Sequence, residues 1–419
     1  MGIVNNKKIL EMPGYLGKWL LRAAVLALPV GTIVAFFLWS LDKVVSTFNA
    51  YQGFLFALPL AGIAIHFLYK AWGKSAEAGN NLIIDEIHQP GGGVPFRMAP
   101  LVLVTTLITH LFGGSAGREG TAVQIGGGLA GYLSKKLGLN HEDVKVFLMM
   151  GISAGFGAVF GTPIAGAIFA IEVLTIGRFK YQAIVPCILA AVFADRVCMF
   201  YPVHHTHYNI ASGFLPTGMW GFTKFGLALL FSGVAFGLAA RLFASLTHNI
   251  KDNGKKIFKK HLWLMPATGG VVIICLTFAV GNCDFNCLGV TGTNPDSCSI
   301  VNAFVPSGGN NWGWLLKLVF TAITIGSGFK GGEVTPLFFI GATLGKALAL
   351  QFGLPVDLWA GLGFIAVFAG AANTPLACAV MGVELFGGTY FIYFLAACFI
   401  AFAVSGKKGI YSAQRVRRG

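Results

Sequence analysis

The chain repeats itself around two glycine-rich breaks. Gly113-Gly-Ser-Ala-Gly117-Arg118-Glu119-Gly120-Thr121 interrupts one apolar run, and Gly326-Ser-Gly-Phe-Lys330-Gly331-Gly332-Glu333-Val334-Thr335-Pro336 interrupts another. A shift of 215 residues places Gly117 on Gly332, Ile125-Gly126 on Ile340-Gly341 and Leu129 on Leu344. A shift of 212 places Thr162-Pro163-Ile164-Ala165-Gly166-Ala167, with Glu172, on Thr374-Pro375-Leu376-Ala377-Cys378-Ala379, with Glu384. Two matches at nearly one offset indicate an internal duplication, with halves at residues 23–200 and 218–402 and a connecting loop at 201–217. The site is expected where the halves meet. Spacing alone leaves open whether the repeat is inverted.

The duplicated unit belongs in a bilayer. Mean hydropathy is +0.73 over 419 residues, with 55% hydrophobic and only 11% charged side chains, so the chain reads as a polytopic, all-α membrane protein. No barrel-type alternation appears. A net charge of +14 would suggest nucleic acid in a soluble protein, but here the basic residues cluster between apolar runs. Lys7, Lys8, Lys18 and Arg22 precede the first run, Lys251 to Lys260 form an internal basic loop, and Lys407, Lys408, Arg415, Arg417 and Arg418 follow the last. By the positive-inside rule both termini are cytoplasmic and no nucleic-acid partner is expected. The run Ala23–Leu41 is too long for a signal-peptide core and is kept as a span. Residues 1–22 read as a cytoplasmic amphipathic helix with Met12, Tyr15, Leu16, Trp19 and Leu20 on one side, and 403–419 as a terminal loop and basic tail. Glycine, at 57 residues, suits close helix packing and broken helices.

Glu119 stands out chemically. Met98 to Phe112 before it and Ala122 to Leu133 after it carry no acidic or strongly basic side chain, which puts Glu119 at membrane depth, where an ionisable group implies function. The flanking glycines let backbone N–H groups turn toward a ligand, and the helix beginning near Gly117 points its positive end at the same place. That is a trap for an anion with a carboxylate standing in it. Other signals are weaker. Gly79-Asn80-Asn81-Leu82-Ile83 reads as a turn opening a short amphipathic helix. The His204-His205-Thr206-His207 cluster reads as a solvated loop rather than a metal site, because no carboxylate or cysteine partner is evident. Cys283, Cys287 and Cys298 allow at most one disulfide and match no zinc spacing. Cys187, Cys198, Cys275, Cys378 and Cys398 lie in apolar runs and read as small core residues. Glu172 and Glu384 recur at helix ends and read as structural, and Lys330 as a helix-flank cation. With no nucleophile–base pair and no metal cluster, neither an enzyme, a cofactor nor a metal is expected.

The chain resembles the CLC family of anion channels and anion/proton antiporters over essentially its whole length. Four elements match in order: Gly79 to Ile83, Gly117 to Thr121, Gly332 to Pro336, and Lys408-Gly-Ile-Tyr411-Ser-Ala. The resemblance implies a fold of two inverted repeats with tilted, broken helices meeting at a central anion site, in a homodimer with one pathway per subunit in the plasma membrane. It implies Glu119 as gating and proton-transfer glutamate, and Asn80, Asn81, Gly117, Arg118, Gly120, Thr121, Val334, Thr335 and Tyr411 as the anion's surroundings. The chain ends eight residues after Tyr411, so no cytoplasmic regulatory domain is expected.

Departures from the chloride-handling pattern narrow the expectation. Gly-Ser-Gly-Ile-Pro is replaced by Gly79-Asn80-Asn81-Leu82-Ile83, the proline that ends the second loop by Thr121, and Gly-x-Phe-x-Pro by Gly332-Glu333-Val334-Thr335-Pro336. All three are similar to the fluoride/proton antiporter branch. The inner proton glutamate of the chloride antiporters falls at Val173. Glu333 is then the second carboxylate coupling proton and anion. Fluoride, small and strongly hydrated, needs dense donors from backbone N–H groups, Asn80, Thr335 and Tyr411 when it leaves water. The expected function is export of fluoride in exchange for protons, and the alternative is a chloride/proton antiporter or passive chloride channel.

Overall fold

The computed structural model describes residues 6–177, 180–214 and 216–416, with side chains from residue 17 onward. The described chain is nearly all helical. Its first half holds α1 (Asn6–Ala50), α2 (Leu58–Leu68), α3 (Asn80–His88), α4 (Met98–Leu111), α5 (Glu119–Lys136), α6 (His141–Phe160), α7 (Pro163–Glu172) and α8 (Ile184–Met199). The second holds α9 (Gly218–Ile257), α10 (Leu264–Val280), α11 (Gly313–Gly326), α12 (Val334–Phe352), α13 (Val356–Ala372), α14 (Pro375–Phe386) and α15 (Phe391–Ser405). Helices α4 to α7 correspond to α11 to α14 at the offsets read from the sequence.

The local chemistry that breaks these helices is duplicated too. Gly161 ends α6 in the left-handed region (φ 70°) and Asn373 ends α13 in the same way (φ 55°); asparagine is among the residues other than glycine that enter this region most readily. A proline then opens the next helix, Pro163 in α7 and Pro375 in α14, where its missing N–H costs nothing. Packing repeats as well. A Cβ on Gly126 would stand 2.0 Å from the carbonyl oxygen of Gly151, and one on Gly341 the same 2.0 Å from that of Gly363. The α5–α6 and α12–α13 crossings therefore bring backbone against backbone, which only glycine permits.

The two halves are related by a pseudo-two-fold axis. Gly117 and Gly332 form an antiparallel bridge, with N–H to carbonyl distances of 2.6 and 2.7 Å in the two directions. Glu172, at the end of α7, accepts from the N–H groups of Leu376 (3.1 Å) and Ala377 (2.7 Å) at the start of α14. Glu384, in the last turn of α14, accepts from Ile164 (2.9 Å) and Ala165 (2.7 Å) at the start of α7. Residue i touching j while the counterpart of j touches the counterpart of i is what a two-fold produces. These caps have a physical reason. A ten-residue helix such as α7 is only about 15 Å long, so it ends inside a hydrocarbon core about 30 Å thick. Its free N–H groups must be satisfied by protein.

Several sequence expectations change. The amphipathic lead-in and the first span are one continuous helix, α1, because nothing between residues 6 and 50 breaks it except Pro13 and Pro29, which it accommodates. Met12, Tyr15 and Leu16 lie outside the described side chains. Of the remaining pair, Trp19 is buried and Leu20 exposed, since adjacent helical positions point about 100° apart. Most of the expected basic loop at 251–260 is helical, because α9 continues to Ile257. All eight cysteines are free; Cys275 is exposed, while Cys187, Cys198, Cys378 and Cys398 are core residues as read. Seven helical segments are long and apolar enough to cross a membrane, and shorter apolar helices fill the interior. A two-residue parallel pair, β1 (Thr175–Ile176) with β2 (Arg415–Val416), ties the C-terminal segment beside the end of α7.

Candidate functional site

Three helices, α3, α5 and α12, begin around the Gly117–Gly332 bridge. That bridge leaves no room for side chains at its own residues: a Cβ on Gly117 would meet the Glu119 carboxylate at 2.8 Å, and one on Gly332 the Gly120 nitrogen at the same distance. Glu119, the first residue of α5, is 1% exposed. Its Oε2 accepts from the Thr335 N–H (3.0 Å) and the Arg118 N–H (3.1 Å). The Thr335 hydroxyl donates to Oε1, and Arg118 Nε lies 3.6 Å from the same oxygen. Thr335 is the second residue of α12. The carboxylate therefore sits at the amino end of a helix from the other repeat, on donors and a dipole that suit any anion.

The structure gathers most of the residues expected here. Gly117, Arg118, Gly120 and Thr335 surround Glu119, and Val334 is buried as the first residue of α12. Asn80 opens α3 with its amide nitrogen 3.3 Å from where a Cβ on Gly120 would stand, and its buried Oδ1 has no hydrogen-bond partner among the described residues. Tyr411 is buried, within electrostatic reach of both Glu119 and Glu333, with its ring edge against Phe169. Glu333 stands at the residue before α12, half-buried, and its side chain makes no capping hydrogen bond there. Two residues are engaged elsewhere. Asn81 Oδ1 accepts from the Ala413 N–H (3.0 Å), holding the segment that carries Tyr411, and the Thr121 hydroxyl pairs with Thr106 on α4 (2.7 Å). Both support the site's walls.

Sequence reasoning passed over the residues that fix the loops. His110 at the end of α4 reaches the carbonyls of Thr106 (2.8 Å) and Ala116 (3.1 Å) through its two ring nitrogens. Ser115 joins Thr321 (2.8 Å, hydroxyl to hydroxyl) and donates its N–H to the Thr324 hydroxyl oxygen (3.2 Å). The only signal in the sequence was a set of polar residues in otherwise apolar helices. On the face of the site toward the 201–217 and 281–298 loops lies a cleft of about 780 Å³ bordered by Asp42, Asn49, Arg118, His204, Thr206 and Asp284. A cavity of about 20 Å³, lined by Arg118, Glu119, His205, Thr206, Tyr208 and Thr335, adjoins it, with Arg118 and Thr206 common to both. Among the described residues no group of three or more metal-ligating side chains forms.

Comparison with known proteins follows the same lines. Residues 61–406 match the family described as voltage gated chloride channel. The chain is 47% identical over 414 residues to a "Chloride/fluoride channel protein" of Pseudomonas syringae pv. tomato, covering 97% of this chain and 88% of that protein. It is 25% identical over 359 residues to the "Voltage-gated ClC-type chloride channel ClcB" of Escherichia coli, covering 83% and 82%. Among solved structures, a CLC-type fluoride/proton antiporter superposes with a TM-score of 0.89 at 34% identity, covering 96% of this chain and 98% of that one. A slow cyanobacterial Cl⁻/H⁺ antiporter superposes with a TM-score of 0.76 at 18% identity, covering 94% and 96%. The latter likeness is one of fold.

Proposed function

Because the chain belongs to the CLC family of voltage-gated chloride channels, a family of channels and transporters rather than of enzymes, we propose that it exports fluoride in exchange for protons. The observation that carries this reading is the Glu119 carboxylate on the α12 donors, where it takes the place an anion would occupy. Ionised, it blocks the site. Protonated, it loses most of its attraction for the Arg118 and Thr335 N–H groups, swings out with its proton, and leaves those donors to fluoride. Mutual exclusion of the two occupants couples their movements. The fluoride structure and the chloride/fluoride relative are both similar to this chain over nearly its full length, which supports fluoride as the favoured halide.

The remaining donors suit a small, strongly hydrated ion. The Thr335 hydroxyl and N–H, the Asn80 amide and the Tyr411 hydroxyl return hydrogen bonds lost from water. Glu333, one residue before α12, serves as the second carboxylate, receiving the proton or hydrogen-bonding the mobile Glu119. The chain divides functionally into 1–22, 23–200, 201–217, 218–402 and 403–419. Both termini lie in the cytoplasm, the protein works as a homodimer in the plasma membrane, and the 780 Å³ cleft faces outward. Proteoliposomes test the assignment: fluoride-loaded vesicles should discharge far faster than chloride-loaded ones, with proton uptake in step. Equal rates for the two halides would promote the chloride reading.

A further inference from the structure

His205 belongs to the one histidine cluster of the sequence, yet its three histidines do not share an environment. His204 and His207 are exposed, whereas the His205 ring turns inward and packs on Gly161, where an added Cβ would meet the ring at 2.8 Å. Among the described residues neither of its ring nitrogens has a hydrogen-bond partner, although both are buried. Its Nε2 lies 4.0 Å from Asp195 Oδ1 on α8, another buried atom without a donor. A facing acid and base, both unpartnered, are rare in a folded interior.

Position gives the pair its meaning. His205 lines the 20 Å³ cavity together with Arg118, Glu119 and Thr335. That room is close to the roughly 10–15 Å³ that one water needs. Its sequence neighbours His204 and Thr206 border the outer cleft. The cleft and the cavity share Arg118, Thr206 and Val290 in their walls, and the His205 imidazole lies on the cavity side.

We infer that His205 is the proton carrier between the outer cleft and Glu119, with Asp195 as its positioning partner. The inference rests on the antiport reading above. A proton that enters from the cleft past the shared Arg118 and Thr206 wall binds a ring nitrogen from the cavity side, making an imidazolium whose charge the Asp195 carboxylate offsets. The imidazolium then gives a proton to one water in the cavity, which passes one to the ionised Glu119, so the ring returns to neutral and the carboxylate becomes neutral. The charges that bear on the step are Arg118 ahead of α5, His204 and His207 on the same loop, and Arg196 and Glu384 beside Asp195. Burial, and after it Arg118, lower the His205 pKa to about 4, so the resting ring is neutral and free to take up a proton.

The test uses the full-length protein in proteoliposomes, with fluoride efflux and proton uptake recorded while external pH is varied. His205→Gln should slow coupled exchange about tenfold or more, flatten the dependence on external pH, and recover with imidazole added outside. Asp195→Asn should shift the external-pH midpoint without abolishing exchange. An unchanged external-pH profile in both variants overturns the carrier, and so does a loss in His205→Gln that imidazole does not restore, which marks a structural role. If the parent itself moved no protons with fluoride, the antiport reading would fail; parental exchange with an unaffected His205→Gln removes the relay alone.

Discussion

The Glu119 carboxylate accepts from both the N–H, at 3.0 Å, and the hydroxyl of Thr335, a residue 216 positions away in the other repeat. One side chain thus reads the state of two halves of the chain. While the bond holds, the amino end of α12 is filled, and when it breaks, the same donors are free.

Glu119→Gln keeps the shape and removes the titratable group. Proton movement should vanish, and fluoride turnover should fall by about 100-fold or more, the scale of a lost proton-transfer group. A fluoride electrode and a pH electrode read together on the variant and the parent decide the matter. Proton exchange at the parental ratio would end the swinging-carboxylate account.

Thr335→Val removes the hydroxyl and keeps the β-branched shape and the backbone donor. A hydrogen bond to a charged acceptor contributes about 1.5–3 kcal/mol, so fluoride should bind roughly 10- to 100-fold more weakly. Calorimetric titration of the detergent-solubilised variant measures this. Parental affinity would show that the backbone N–H suffices.

Asn80→Ser places the donor of the chloride-type loop at the start of α3. Discrimination against chloride should weaken, measured as the ratio of fluoride to chloride efflux rates. An unaltered ratio would mean that Asn80 shapes the turn and that Thr335 sets the preference.

Glu172→Ala and Glu384→Ala each uncap a helix of the opposite repeat. Each should lower stability by about 1–2 kcal/mol, seen as a lower midpoint of thermal unfolding, with halide selectivity unchanged. A selectivity change without a stability change would assign these residues to transport.

Gly126→Ala and Gly341→Ala should both be strongly destabilising, because each Cβ would stand 2.0 Å from a backbone oxygen of the neighbouring helix. Overpacking of this kind costs about 3 kcal/mol. Folded yield on size-exclusion chromatography should fall alike for the two. A loss at only one position would show that the two crossings are not equivalent.

Much of this was legible in the chain because it depends on neighbours in sequence. Hydropathy over a window of residues establishes a membrane protein, glycines and prolines mark where helices break, and a recurring Thr-Pro with a glutamate downstream reveals the duplication. Glu119 could be picked out because an acidic residue in an apolar run is unusual wherever the chain folds.

Partners hundreds of residues apart, by contrast, are set only when the helices pack. The sequence could make Glu172 and Glu384 helix-end residues, but not show that each caps the other's repeat, since that reciprocity is a property of the two-fold axis. Asn81 and Thr121 sit in the right loops, and only the folded chain commits one to Ala413 and the other to Thr106. Likewise His204, His205 and His207 are equivalent letters in one polar loop, and Gly161 at the end of α6 provides the surface on which His205 alone turns inward. A hydrogen-bond partner and a degree of burial are facts of three-dimensional proximity, whereas the propensity to break a helix or to enter a bilayer belongs to the residues themselves.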